Sequence, residues 1–137
     1  MQMNWLAVVT ATVAGMVVAS VWYGKLFATK WWNLTGVNPE QAKSASRKNM
    51  AQLILANALS AIGLAFAITI AYEASGVQSV WLALLVGVGA WLAFSASTLL
   101  QHNAFEMKPP QLTAINSAYQ LALFLVMALT IGLFSST

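Results

Sequence analysis

Four apolar segments, each close to the length of a bilayer crossing and none with an Asp, Glu, Lys or Arg in its interior, constrain this chain more than any other feature. They cover about residues 4–23, 50–72, 80–101 and 111–134. A span takes about 20 predominantly apolar residues. Each must be helical, because an open strand in hydrocarbon leaves its N–H and C=O groups unpaired. The ten-residue alternation of a transmembrane barrel is absent. Composition points the same way: 7% of residues are charged, against about 25% in a soluble domain, which is too little polar surface to cover a water-exposed globule. The reading is an all-α integral membrane four-helix bundle forming one domain over residues 1–137.

The same composition narrows the chemistry. With no cysteine, disulfides, thiolate catalysis and Cys-ligated metals are excluded. A single histidine excludes a His-rich metal site, and no cofactor is expected. Six basic residues against three acids are too few for a nucleic-acid surface, which must neutralise several phosphates. The N-terminus lacks the basic region of a secretory signal, so the first apolar segment is expected to remain in the protein.

Lys25, Lys30, Lys43, Arg47 and Lys48 lie between the first two spans and Lys108 between the last two, whereas the tails and the connection at 73–79 hold no Lys or Arg. Two connections separated by two spans share a side. The positive-inside rule places them in the cytoplasm and both termini outside. Trp5, Tyr72 and Trp81 then fall at the outer boundary, and Trp22, Tyr23, Trp31 and Trp32 at the inner one, where amphipathic rings anchor at headgroup depth. Helix one is expected to continue along the interface to Gly36. Asn38-Pro39 reads as a helix start, which would carry helix two about 15 Å into the cytoplasm. Pro109-Pro110 is a short turn between antiparallel neighbours. Trp5-Leu6-Ala7 and Trp81-Leu82-Ala83 open spans one and three alike, a faint echo of a two-plus-two repeat.

Helices in lipid pack through small residues, and every span has them at four-residue spacing. They are Ala11, Gly15 and Ala19; Gly63, Ala67 and Ala71; Gly89, Ala93 and Ser97; and Ala114, Ala118 and Ala122. Packing within one subunit accounts for most. The interior of four small helices is limited, however, and stripes left over would serve a homo-oligomer.

Polar residues within spans are the default functional candidates of a membrane protein, and here they concentrate in the cytoplasmic half. Asn57 and Asn116 sit at matching depths, where they could meet. Trp91, Ser95, Thr98, His102 and Glu106 recur at three- and four-residue steps, forming one face of helix three. The stripe of Asn116, Tyr119, Gln120, Leu123, Met127 and Thr130 on helix four is its expected partner. The candidate polar site is therefore Asn57, His102, Glu106, Asn116, Tyr119 and Gln120, with Trp91 as a pocket wall. Plainer roles exist for each: interhelical hydrogen bonds for the amides, an interfacial pair at the end of helix three for His102 and Glu106, and core packing for Trp91. A metal at His102 and Glu106 would need ligands from elsewhere.

The run Trp22-Tyr23-Gly24-Lys25-Leu26-Phe27, followed by Lys30-Trp31 and Leu34-Thr35-Gly36, resembles the hallmark of a family of small bacterial membrane proteins, domain of unknown function 1761. Asn4-Trp5, His102, Phe105-Glu106, Lys108-Pro109, Ile115-Asn116 and Tyr119 match in order along nearly the whole chain. The chain departs at Lys25, where the pattern has proline, and at Ala28, where it has glycine. The resemblance implies a four-span protein of the bacterial inner membrane and carries over no catalytic residue. Two functions remain in view: a non-enzymatic bundle that associates with itself or with a membrane partner, or a small transporter or channel with a cytoplasm-facing vestibule of Asn57, His102, Asn116 and Gln120. Its substrate would be a small molecule that the sequence does not identify.

Overall fold

The computed structural model describes residues 4–26, 33–34, 46–107 and 109–135. Four long helices make up nearly all of these. Helix α1 (Trp5–Val21) opens on Asn4, whose side chain accepts a hydrogen bond from the Ala7 N–H at 3.1 Å, a standard N-cap that satisfies one orphan donor. One turn of π-helix, Trp22–Leu26, extends it. Helix α2 is Ser46–Ser75. Helix α3, Val80–Glu106, starts on the Ser79 cap and is interrupted by a second π-helical stretch, Trp91–Ala96. Helix α4 is Pro110–Ser135. The helix start expected at Asn38-Pro39, the interfacial course through Trp31 and Trp32, and the loop cations Lys30, Lys43 and Lys108 lie outside the described residues.

The helix ends explain the short connections. Gly76 follows α2 at φ +73° and donates its N–H to the Tyr72 carbonyl at 2.8 Å, the left-handed stop that glycine adopts without penalty. Tyr72 then donates its hydroxyl to the Ser79 carbonyl at 3.0 Å, tying the end of α2 to the start of α3. Helix α3 stops on Met107, at φ 54°, whose N–H bonds the Asn103 carbonyl at 3.0 Å. The turn through Pro109 sends α4 back along α3, as expected.

Helix α4 packs on all three others, while α1 and α3 flank the α2–α4 pair from opposite sides. Small residues set the spacing. On α1 the stripe Ala7, Ala11, Gly15 and Ala19 is buried. A Cβ added to Gly15 would lie 2.7 Å from Met127 Cε and 2.8 Å from Leu123 Cδ1. One added to Gly87 would lie 2.9 Å from Ala128 Cβ and 3.2 Å from the Phe124 carbonyl oxygen. Large apolar side chains point outward instead, among them Leu6, Val13, Leu59, Phe66, Leu85, Phe94 and Leu133. That is the distribution of a lipid-solvated bundle, in which close contact rather than water exclusion holds helices together. Three helices, Met50–Ser75, Val80–Glu106 and Pro110–Phe134, are long and apolar enough to cross a membrane, and Trp5–Val21 is a shorter apolar helix.

The small-residue stripes divide between inside and outside. Only that of α1 is buried. Gly63 on α2, Gly89 and Ala93 on α3, and Ala114 and Ala118 on α4 are exposed, and a Cβ added to Gly63 or Gly89 would meet nothing within 4 Å. In α2 and α3 the core is lined instead by Ala61 and Ala65, and by Ala83 and Gly87.

Candidate functional site

The polar residues of the spans fall into separate environments. Where the π-turn of α1 meets α4, Tyr23 donates its hydroxyl to Asn116 Oδ1 at 2.6 Å. The Tyr23 and Tyr119 ring centroids are 4.9 Å apart with the planes at 60°, and those of Trp22 and Tyr119 are 6.4 Å apart at 52°, the tilted arrangements that aromatic quadrupoles favour. Tyr119 is 4% exposed, and its buried hydroxyl has no hydrogen-bond partner among the described residues. Trp22 and Tyr23, expected at the lipid interface, thus contribute to contacts between helices. Trp5 and Trp81 remain outward, 59% and 81% exposed.

Asn57 is 2% exposed and donates Nδ2 to Met16 Sδ at 3.2 Å, a weak acceptor. It does not meet Asn116. Along α1 the partners of the two amides, Met16 and Tyr23, are seven residues or about 10 Å apart. The two amides are therefore not at the matching depths expected of them.

The face expected on α3 is divided. Trp91 donates its indole N–H to the Ser117 carbonyl at 2.9 Å and lines a largely apolar cleft of about 420 Å³ between α3 and α4, together with Leu92, Ala96, Leu100 and Asn103. Ser95 and Thr98 line a different cleft of about 320 Å³, with Ser60, Phe94, Gln120 and Phe124. The cause is the π-helical stretch Trp91–Ala96, which contains both Trp91 and Ser95: i→i+5 bonding adds about one residue to the turn, so the face of Trp91 continues at Ala96 and not at Ser95. Helix α4 is split likewise. Asn116, Tyr119, Leu123 and Met127 approach α1, and Gln120 opens toward α2 and α3.

In that second cleft the Ser60 and Ser95 hydroxyls and the Gln120 carboxamide make no hydrogen bond among the described residues. Most hydroxyls elsewhere in the spans bond their own helix four residues back, as Thr12, Ser20, Thr69, Ser97 and Thr130 do. Three polar groups without partners in one lipid-facing cleft are a concentrated cost in hydrocarbon.

His102 Nδ1 and Glu106 Oε1 stand 4.0 Å apart with side chains 65% and 58% exposed. This is a solvated helix-surface pair, worth little in isolation. Of Asn57, His102, Asn116 and Gln120, Gln120 alone lines one of the clefts described here; Asn57 and Asn116 bond to different residues of α1 and its π-turn, and His102 is on the exposed surface of α3.

A cleft of about 540 Å³ opens at the opposite end of the bundle, bounded by Asn4, Thr69, Tyr72, Glu73 and Gln78. Sequence reasoning passed over it because it weighed amides inside the spans. The signal available was polar residues at both chain positions that meet there, the α1 cap and the connection at 73–79.

Comparison with curated proteins and with solved structures yields no match. A family model described as "Protein of unknown function (DUF1761)" matches residues 6–132, from the first turn of α1 to the last turn of α4. That span takes in the aromatic cluster, both π-helical segments and, apart from Asn4, the residues of the three clefts, and on it the chain belongs to this family.

Proposed function

We propose that this protein is a non-enzymatic bundle of the bacterial inner membrane that works by association, foremost with further copies of itself. The observation that carries the reading is the outward placement of small residues on α2 and α3. Gly63 lies nine residues before Tyr72 and Gly89 nine after Val80, on either side of the tight Tyr72–Ser79 connection. The two exposed glycines therefore sit at similar depth on neighbouring antiparallel helices. Beside them opens the cleft of Ser60, Ser95 and Gln120. A second copy approaching this surface would gain close backbone contact and supply partners for the carboxamide, the two interactions that join helices in lipid. Helix α1 with its π-turn, residues 5–26, is in this reading a fourth span, with both termini outside and the basic connections cytoplasmic.

Transport is the weaker alternative, because its four proposed vestibule residues occupy separate environments. The absence of native cysteine makes the test direct. Gly63→Cys and Gly89→Cys chains in native membranes should crosslink to one another in high yield, whereas Val17→Cys on the outer face of α1 should not. Equal, low yields at all three positions would remove the reading.

A further inference from the structure

We propose that the cleft between α3 and α4 binds one anionic phospholipid, with an acyl chain along the groove and the phosphate at the start of α4. The lining is apolar, with Trp91 and Ala96 at the bottom and the exposed Leu92 and Leu100 at the sides, and the mouth is polar, with Asn103 and Thr113. From Trp91 to Asn103 is twelve residues, about 18 Å along a helix, close to the roughly 15 Å that one leaflet contributes to the hydrocarbon core. A groove of that length, apolar inside and polar at headgroup depth, has the dimensions and polarity of a lipid tail below its ester region.

Three features keep the groove open. Trp91 is held against α4 by its bond to the Ser117 carbonyl, so its ring forms a fixed floor. Helix α4 presents small side chains there, Ala114 and Ser117. The π-helical stretch Trp91–Ala96 widens α3 where the floor lies.

The mouth is also electrically suited to an anion. Helix α4 begins at Pro110, so the positive end of its macrodipole lies there; Pro110 has no N–H and the Leu112 N–H bonds the Pro109 carbonyl, which leaves the N–H groups of Gln111 and Thr113 in the first turn. Lys108 stands two residues earlier in the chain and is the sole Lys or Arg between α3 and α4. A cation near a membrane surface attracts anionic lipid by about fivefold. Glu106 is the only nearby acid in the sequence, and it lies on the exposed surface of α3 beside His102.

The test uses the full chain, purified and exchanged into an equimolar mixture of phosphatidylglycerol and phosphatidylcholine, with retained lipid counted by native mass spectrometry. One phosphatidylglycerol per chain should be held in preference to phosphatidylcholine. Lys108→Gln should lower that preference about fivefold, and Ala114→Phe, which fills the groove, should release the lipid. Should Ala114→Phe not fold, phosphatidylglycerol with a photoreactive acyl chain decides on the wild-type protein, labelling residues 91–96 and 110–117. Equal retention of the two lipids, retention unaffected by a folded Ala114→Phe, or label spread over α1 and α2 would overturn the proposal. So would chain-to-chain crosslinking at Ala114→Cys without lipid label, since a second copy would then occupy the groove.

Discussion

At the level of single residues, glycine positions separate folding from association. Gly15 and Gly87 both sit at close helix contacts, but their neighbours differ in what they can concede. At Gly15 the nearest atoms are the ends of the Met127 and Leu123 side chains, which rotate away. At Gly87 they are Ala128 Cβ and a backbone carbonyl, which do not. Gly87→Ala should therefore destabilise the bundle by about 1–3 kcal/mol, the usual range for overpacking, and by more than Gly15→Ala, as read from thermal unfolding in detergent. The aromatic cluster gives a second residue-scale expectation. Tyr23→Phe removes the donor to Asn116, and a double-mutant cycle with Asn116→Ala should return a coupling of about 0.6–1.7 kcal/mol, the range found between membrane helices. A coupling near zero would mean that the 2.6 Å contact adds nothing to stability.

At the level of elements, much was legible in advance and the exceptions have one physical origin. The four apolar segments became helices because lipid permits little else. The antiparallel α3–α4 pair follows from the short turn at Pro109-Pro110. Heptad-like arithmetic failed on α3, where it assumed a uniform helical period across Trp91–Ala96. No propensity scale marks the sequence WLAFSA as π-helical, because a π-turn comes from how a helix seats against its neighbours and not from its own residues. The same limit hid the cluster at Tyr23. Its ring was placed by interfacial preference, yet the extra residue in the π-turn of α1 brings it to α4. Met107 offers a test of element ends. A side chain at φ 54° carries a left-handed penalty of about 1–2 kcal/mol that glycine avoids, so Met107→Gly should raise stability to denaturant by up to that amount without changing helicity. An unchanged or lower unfolding midpoint would show that the exposed Met107 side chain makes compensating contacts.

At the level of the whole molecule, polar residues line clefts toward both ends of the bundle. Asn116 bonds Tyr23 near the end that the basic connections join, but Asn57 sits beside Met16 near the middle of α1, and the cleft of Asn4, Tyr72 and Glu73 opens at the other end. Small-residue stripes were likewise visible as a pattern, while their allocation was not. Four-residue spacing identifies a face but not its partner, and only packing could tell that α1 turns its stripe inward while α2 and α3 leave theirs outside. Gly63 and Gly89 should then tolerate bulk in the folded monomer, because a Cβ there meets nothing, and should not tolerate it in an assembly. Energy transfer between donor- and acceptor-labelled copies in lipid vesicles, followed as the protein is diluted with lipid, tests this central claim most directly. Wild-type protein is predicted to keep its transfer on dilution, and a Gly63→Leu/Gly89→Leu variant to lose it while retaining wild-type helicity and melting temperature. Transfer that falls with dilution for wild type as it does for random collisions, or that survives unchanged in the variant, would contradict association through the α2–α3 surface.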